Sequence, residues 1–229
     1  MCKNKRIIIA SPNRRNDLLV DNLKNMLLDF ELVRFCSKEE LTLDNIKELN
    51  PKYIFFPHWS WMIPEDVFSQ YECVIFHMTD LPYGRGGSPL QNLIVRGHEK
   101  TMVTGFRCVS ELDAGPIYLK RSMSLVGTAD EVLFRASNLM EKMIVEIVKN
   151  HPVPVEQQGT PTFFSRRGPE DGNLAKLDGI KEAHDFVRML DGEGYPPAFV
   201  ETEYLRFEFS DAKLTSDSVV ADVRIIMKK

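Results

Sequence analysis

Two short stretches hold side chains that can move protons. His77 follows the apolar run 73–76 and opens Met78-Thr79-Asp80-Leu81-Pro82-Tyr83-Gly84-Arg85-Gly86-Gly87. An imidazole has the one unperturbed pKa close to neutrality, so at the end of a strand it can act as general acid or base. The same placement also suits a hydrogen-bonded structural histidine. The second stretch, Glu111-Leu112-Asp113-Ala114-Gly115-Pro116, is an acidic turn after the apolar run 101–109. It can be a plain Asp-Gly turn whose carboxylate bonds local backbone, or it can aim a carboxylate into the cleft that holds His77. The cluster Gly84-Arg85-Gly86-Gly87 has neither the dinucleotide-binding nor the P-loop spacing of glycines. It reads as a turn shaped to let a substrate approach the backbone.

These stretches need a framework, and the hydrophobic pattern supplies one. Residues 6–10 form a short β-branched run, broken by Ser11-Pro12-Asn13, before Leu18, Leu19, Leu23, Met26 and Leu27 recur at helical spacing. Residues 31–35 read as a second strand. Leu41, Ile46 and Leu49 mark a helix seeded by the capping-box pair Ser37 and Glu40. Residues 53–56 and 73–76 read as buried strands, with Pro64-Glu65-Asp66 between them as a helix start carrying Pro in its first turn. Ser88-Pro89 opens a further helix. Residues 130–149 form a long helix whose Leu133, Ala136, Leu139, Met140, Met143, Ile144 and Ile147 keep to one face, which is core packing. Short apolar strands alternating with helices predict an α/β fold of Rossmann-like type, a mainly parallel sheet flanked by helices with the chemistry at the carboxyl ends of strands. His151-Pro152-Val153-Pro154 and the polar run 156–160 read as a linker. The boundary is therefore expected there, with an N-terminal catalytic domain over 1–150 and a small α+β C-terminal region over 151–229.

Composition narrows the function. Of 229 residues, 43% are hydrophobic and 27% charged, enough for a core and too apolar for global disorder. No run approaches a membrane span and the start carries only a short apolar run, so a cytoplasmic protein without signal peptide or membrane contact is expected. A formal charge of -4 supplies no global field to gather a polyanion. Cys2, Cys36, Cys73 and Cys108 are scattered, without metal-ligand or disulfide spacing.

Taken in order, His77-Met78-Thr79-Asp80-Leu81-Pro82-Tyr83-Gly84-Arg85-Gly86, Pro89, Thr101-Met102-Val103-Thr104 and Leu112-Asp113-Ala114-Gly115-Pro116-Ile117 resemble the folate-dependent formyltransferases. Their pattern is N-x-H-x-S-L-L-P-x-x-x-G followed by T-G-V-T and D-x-G. Ile63-Pro64 resembles the loop that holds the pterin through its backbone. Thr162-Phe163-Phe164-Ser165-Arg166-Arg167, Phe186-Val187-Arg188-Met189-Leu190 and Tyr195-Pro196-Pro197-Ala198-Phe199 resemble the C-terminal region of the sugar enzymes. One departure matters: Ile75 stands where the family has Asn, and an aliphatic side chain cannot donate to the oxygen of a tetrahedral intermediate. Losing one such donor costs roughly 3 to 4 kcal/mol of transition-state stabilisation. Either a backbone amide or a side chain such as Thr79 substitutes, or the protein is slow, or it has lost the chemistry. Ile75→Asn is expected to be tolerated and to raise the rate, and severe loss would show that the surrounding site is built around Ile75. Thr79 in place of the usual Ser keeps a hydroxyl.

The resemblance implies a formyltransferase fold and transfer of a formyl group from N10-formyltetrahydrofolate to a primary amine, without a metal. It assigns His77 to stabilising the oxyanion or relaying the proton, and Asp113 to orienting His77 and accepting the amine proton. Met62, Ile63, Pro64, Leu112 and Asp113 are implied to hold the folate donor. Within the family the run 76–90 looks most like the sugar-nucleotide branch associated with pseudaminic acid. The implied acceptor is the 4-amino group of a UDP-linked amino-dideoxy-N-acetyl sugar, a small-molecule partner with no nucleic acid. Asn13, Arg14, Tyr83 and Gly84 are then expected at the substrate rim, with Arg166 and Arg167 on the diphosphate. His58, Trp59 and Trp61 border pterin or sugar, or pack in the core. The competing readings are a transferase acting on a carrier-bound amino acid or other amine, and a non-catalytic folate- or nucleotide-binding module. The oligomeric state is left open.

Overall fold

The structure, a computed structural model, describes residues 5–228, so Cys2 lies outside the described residues. In chain order the elements are β1 (Arg6–Ala10), α1 (Asp17–Met26), β2 (Glu31–Phe35), α2 (Leu43–Leu49), β3 (Tyr53–Phe56), α3 (Glu65–Phe68), β4 (Cys73–His77), β5 (Arg85–Gly86), α4 (Pro89–Ile94), β6 (Lys100–Arg107), β7 (Ile117–Ser124) and α5 (Ala129–Asn150). After α5 come β8 (Phe163–Phe164), α6 (Ile180–Arg188), β9 (Ala198–Glu201), β10 (Leu205–Leu214) and β11 (Val219–Met227). The described residues divide into two compact units, one of residues 5–85, 102–123 and 134–163, the other of 86–101, 124–133 and 164–228.

A six-stranded sheet of order β2-β1-β3-β4-β6-β7 organises the first unit. Its β2, β1, β3 and β4 run parallel, and β6 runs antiparallel to β4, so the α/β architecture expected from the sequence is the one observed. Both faces of the parallel part are covered, which is why β1 is apolar from Ile7 to Ala10 instead of alternating: Ile7, Ile8 and Ile9 are fully buried. On one face Ile8, Ala10, Ile54, Phe56 and Cys73 pack with Ile46 of α2, Val67 of α3, Ile63 and Cys108. On the other, the rings of Phe55 and Phe76 stack 6.3 Å apart. There Gly105 of β6 leaves room for Phe76 and for Met143 of α5. Asn22 of α1 donates to Glu141 of α5 at 2.8 Å.

Two helix starts differ from expectation for local reasons, and that of α4 is as expected. Ser37 and Glu40 do form a capping box, but it closes one 3₁₀ turn, and α2 begins afresh behind Thr42, whose hydroxyl accepts from the Asn45 amide. Pro64 sits ahead of α3 as its cap, where its carbonyl takes the Val67 and Phe68 amides, and α3 is a single turn. In α4 Pro89 occupies the first turn, where a missing N–H costs nothing. In the second unit β9, β10 and β11 form an antiparallel sheet of order β11-β10-β9. Arg206 lies 3.6 Å from the Phe199 ring centroid while pairing with Glu201 and Glu208.

Among the described residues no helix is long and apolar enough to cross a membrane. No group of three or more His, Cys, Asp or Glu among them could hold a metal ion. Cys73 and Cys108 are buried free thiols, and burial is the main cause pushing both up, Cys108 to about 12, so neither is a ready nucleophile.

Candidate active site

Strand β4 delivers His77. Its pleat puts Cys73, Ile75 and His77 on one face, and His77 pairs in register with Thr104 of β6 at the edge of the apolar core. The ring is 8% exposed. Nε2 lies 2.9 Å from the Gly84 carbonyl oxygen. A carbonyl only accepts, so Nε2 carries the proton and Nδ1 is the basic nitrogen of the neutral ring. Nδ1 faces Asp113, with 3.8 Å to Oδ2. That is too long for a hydrogen bond but short enough for the carboxylate to stabilise a ring that takes up a proton. The loop between β4 and Gly84 closes on itself: the Thr104 hydroxyl donates to the Thr79 carbonyl at 2.6 Å, and the Thr79 hydroxyl reaches Gly84 O at 3.4 Å.

Asp113 comes from the hairpin between β6 and β7. That hairpin folds back over the same face of the sheet, since Cys108 joins the core cluster of Cys73 and its amide donates to Cys73 O at 2.8 Å. Asp113 has φ 51°, a left-handed conformation that Asp tolerates better than most side chains. The chain is therefore turned sharply enough to bring a residue remote in sequence onto His77.

The implied folate residues share that foundation. Ile63 is 8% exposed and belongs to the cluster that also holds Cys108, so the 62–64 turn and the 111–115 turn are rooted in one core. Met62 and Leu112 are exposed at 80% and 55%, soft apolar side chains suited to a flat heteroaromatic ring. Ile63 itself is committed to the core, which leaves only its backbone for a ligand. Trp59 packs edge-on against Phe56 and Trp61, at 5.6 and 4.8 Å, and against the same cluster.

The implied acceptor residues are more dispersed. The Asn13 side chain donates to His58 O at 3.4 Å, and Arg14 is exposed. Tyr83 is half-buried beside Gly84, whose amide and carbonyl are both engaged, by Thr162 Oγ1 and His77. Arg166 and Arg167 belong to the second unit. Arg166 is exposed, while the Arg167 guanidinium lies 5.3 Å from the Phe186 ring and donates to Asp171 O at 2.8 Å.

Ile75, where the family pattern has Asn, is half-buried between Phe56 and Phe106 in the ladder and packs on the apolar cluster. An amide there loses aliphatic contacts and must be desolvated. Ile75→Asn is therefore expected to cost about 1–3 kcal/mol. The check is the unfolding midpoint, together with the rate per folded molecule; an unchanged midpoint would show that the amide finds partners.

Composition hid three residues from the sequence reading. Gln157 and Thr162 lie in and beside the stretch that reads as a linker, and Arg85 reads as part of a glycine turn, yet all three bond to the His77 and Asp113 loops. The signal available was the pairing of an isolated Arg with an amide beside a Pro-rich stretch, which is too weak to select them.

A formyl transferase family model matches residues 27–148, and one for the C-terminal domain of methionyl-tRNA formyltransferase matches residues 169–226. The chain belongs to the formyl transferase family. A solved structure described as methionyl-tRNA formyltransferase from Clostridium thermocellum is 43% identical, with TM-score 0.94, covering 97% of this chain and 99% of that one. The curated methionyl-tRNA formyltransferase of Clostridium beijerinckii is 24% identical over 206 residues, 86% of this chain and 66% of the relative, so the chain spans just under two thirds of that protein. HypX from Aquifex aeolicus, solved with tetrahydrofolic acid, shares the fold at 19% identity and TM-score 0.75, covering 93% of this chain and 38% of that one.

Formyltransferase class and a folate formyl donor thus stand at the level of the family. The expected sugar-nucleotide acceptor does not, and neither does the expected absence of a nucleic-acid partner: the relatives bear the methionyl-tRNA name. One ground for the sugar reading is weakened by the structure: the Arg166-Arg167 pair is not a free fork for a diphosphate, since Arg167 is held by Phe186 and Asp171.

Proposed function

We propose that this protein transfers a formyl group from N10-formyltetrahydrofolate to the α-amino group of methionyl-tRNA, in the cytoplasm. One observation carries the chemistry: a buried His77 whose basic Nδ1 faces the Asp113 carboxylate at 3.8 Å, rooted on the core that also seats the 62–64 turn. The acceptor rests on the 43% identical relative of the same length. In this reading residues 1–150 carry the reacting side chains and residues 151–229 form the smaller C-terminal region, whose first stretch, 151–163, belongs to the same compact unit as the reacting side chains.

The bound donor supplies the formyl carbon that a neutral amine attacks. Nδ1 of His77 takes the proton released as the new C–N bond forms, while Nε2 stays committed to Gly84 O and fixes the ring plane. Asp113 stabilises the imidazolium until its proton passes, directly or through water, to N10 of the donor, whose bond to the formyl carbon breaks as tetrahydrofolate leaves. Such help contributes on the order of 10² to 10⁴ in rate. Met62 and Leu112, with the backbone of Ile63 and Pro64, would hold the pterin of the donor. With a formal charge of -4 the chain has no global attraction for RNA, so the acceptor is held by local contacts, and the salt dependence of its binding counts the phosphates those contacts neutralise.

The test is to supply charged methionyl-tRNA and N10-formyltetrahydrofolate, digest the product and weigh the released amino acid. N-formylmethionine at a rate proportional to protein supports the reading. Donor consumption with other amines, and none with methionyl-tRNA, removes the acceptor assignment while leaving the transfer chemistry.

A further inference from the structure

The stretch that reads as a linker is bound along its length. Val155 exchanges both backbone hydrogen bonds with Ile117, at 2.7 and 2.9 Å. Two residues on, Gln157 Nε2 donates to Asp113 O at 2.8 Å and to Gly115 O at 2.9 Å. Its Oε1 accepts from Arg85 Nη2 at 2.8 Å and Nε at 3.2 Å. Arg85 is 7% exposed, and its third contact is Nη1 to Glu111 Oε1 at 2.8 Å. At the far end, Thr162 takes the Gly84 amide on its hydroxyl and the Arg85 amide on its carbonyl, at 2.8 and 2.9 Å. Residues 84 and 85 thus touch both halves of the site. Gly84 O fixes the His77 ring, and the Arg85 guanidinium reaches the Asp113 turn through one amide side chain.

A nearly buried guanidinium that spends two donors on a neutral amide is poor use of a charge for stability, since a carboxylate would hold it better. What this arrangement does achieve is orientation. A Gln amide has an accepting end and a donating end, and two Arg N–H groups on Oε1 force the NH₂ toward the carbonyls of residues 113 and 115. We propose that Arg85 and Gln157 are positioning residues, a relay that holds the Asp113 turn at its working distance from His77. The role rests on the reading of Asp113 as the group that acts with His77.

Gln157→Glu separates orientation from packing. It keeps the volume and gives Arg85 a better partner, but it removes both donors to the turn and sets a carboxylate against two carbonyl oxygens. The variant is expected to fold, to lose about 10- to 100-fold in kcat as a loosened site does, and to keep its KM for N10-formyltetrahydrofolate within about threefold. Combined with Asp113→Asn it should cost nothing further in kcat, because the relay acts only through Asp113. Amide hydrogen exchange in the 111–116 segment should rise in Gln157→Glu and not in Asp113→Asn. Arg85→Lys keeps a charge near Glu111 but cannot present the paired donors. It should show the same losses more weakly and serves if Gln157→Glu does not fold.

Wild-type exchange at 111–116 in these variants overturns the relay, whether or not formyl transfer is detected. Additive losses in the double variant also overturn it and assign Gln157 a general structural role. Unaltered turnover in Asp113→Asn instead removes the reading of Asp113, and a kcat loss in Gln157→Glu would then belong to something other than this relay.

Discussion

Asp113→Asn is expected to lower formyl transfer to methionyl-tRNA by about 10²- to 10⁴-fold, the range over which a positioned proton acceptor contributes. The substitution is chosen because nearly everything else about the turn survives it. Asn is among the side chains most tolerant of a left-handed backbone, so φ 51° adds little strain. The bonds from Gln157 go to the backbone oxygens of residues 113 and 115, which the change leaves in place. An amide matches the carboxylate in size but cannot stabilise an imidazolium or take a proton from it. Folding and donor affinity should therefore stay near wild type while single-turnover transfer falls. Quench-flow rates and calorimetry with the folate donor check the two halves separately. Wild-type transfer would take Asp113 out of the mechanism, and loss of donor affinity in step with rate would make it a binding residue instead.

Much of this site could be read from the chain because each piece is locally punctuated. A buried strand ending in His77, and a strand ending in an Asp-Ala-Gly turn, are visible as a change from apolar run to polar turn. The same logic located the strands of the parallel sheet and the long helix α5, whose one apolar face packs in the core. Three kinds of feature escaped. The approach of Asp113 to His77 depends on β6 running antiparallel to β4 and on a hairpin folding back over the sheet, and neither leaves a local signature. Gln157 and Thr162 are polar residues in a Pro-rich stretch, which in composition cannot be told from solvated linker, although their side chains and backbone are bonded into the site. Ile75 shows the reverse case. The type was legible as a departure from the family pattern, but only the ladder shows that it is a core side chain.

The acceptor is not legible in the sequence for a related reason. The expected catalytic side chains sit at strand ends, where the sequence constrains them, whereas the residues expected to meet the acceptor, such as Arg14 and Arg166, are exposed. A pair of arginines in a loop has the same appearance whether it holds a diphosphate, meets RNA or, as at Arg167, covers a phenyl ring. Overall charge was no better a guide, because long-range attraction raises encounter rates without deciding whether a local site exists.

Gly115→Ala is expected to be the most disruptive single-methyl change in the first unit. A Cβ at this position would lie 1.8 Å from the Arg107 carbonyl oxygen, and the obstacle is backbone, which has no rotamer to escape into. Relief requires the hairpin to open by more than about 1 Å, a displacement that typically costs about 10²-fold in rate. It would also pull apart the Arg107 amide and the Pro116 carbonyl, now 2.9 Å apart, and shift an oxygen that Gln157 holds. Stability should fall by on the order of 3 kcal/mol, within the range for backbone and overpacking mechanisms. Gly168→Ala is the control: an added Cβ there meets nothing within 4 Å, so melting temperature and rate should both stay at wild-type values. The measurements are thermal unfolding and single-turnover transfer on the two variants side by side. If Gly115→Ala melts and turns over like Gly168→Ala, the hairpin relaxes without moving Asp113, and the turn is a looser part than its geometry requires. If it loses rate far beyond its loss of stability, the distance from Asp113 to His77 is what Gly115 protects.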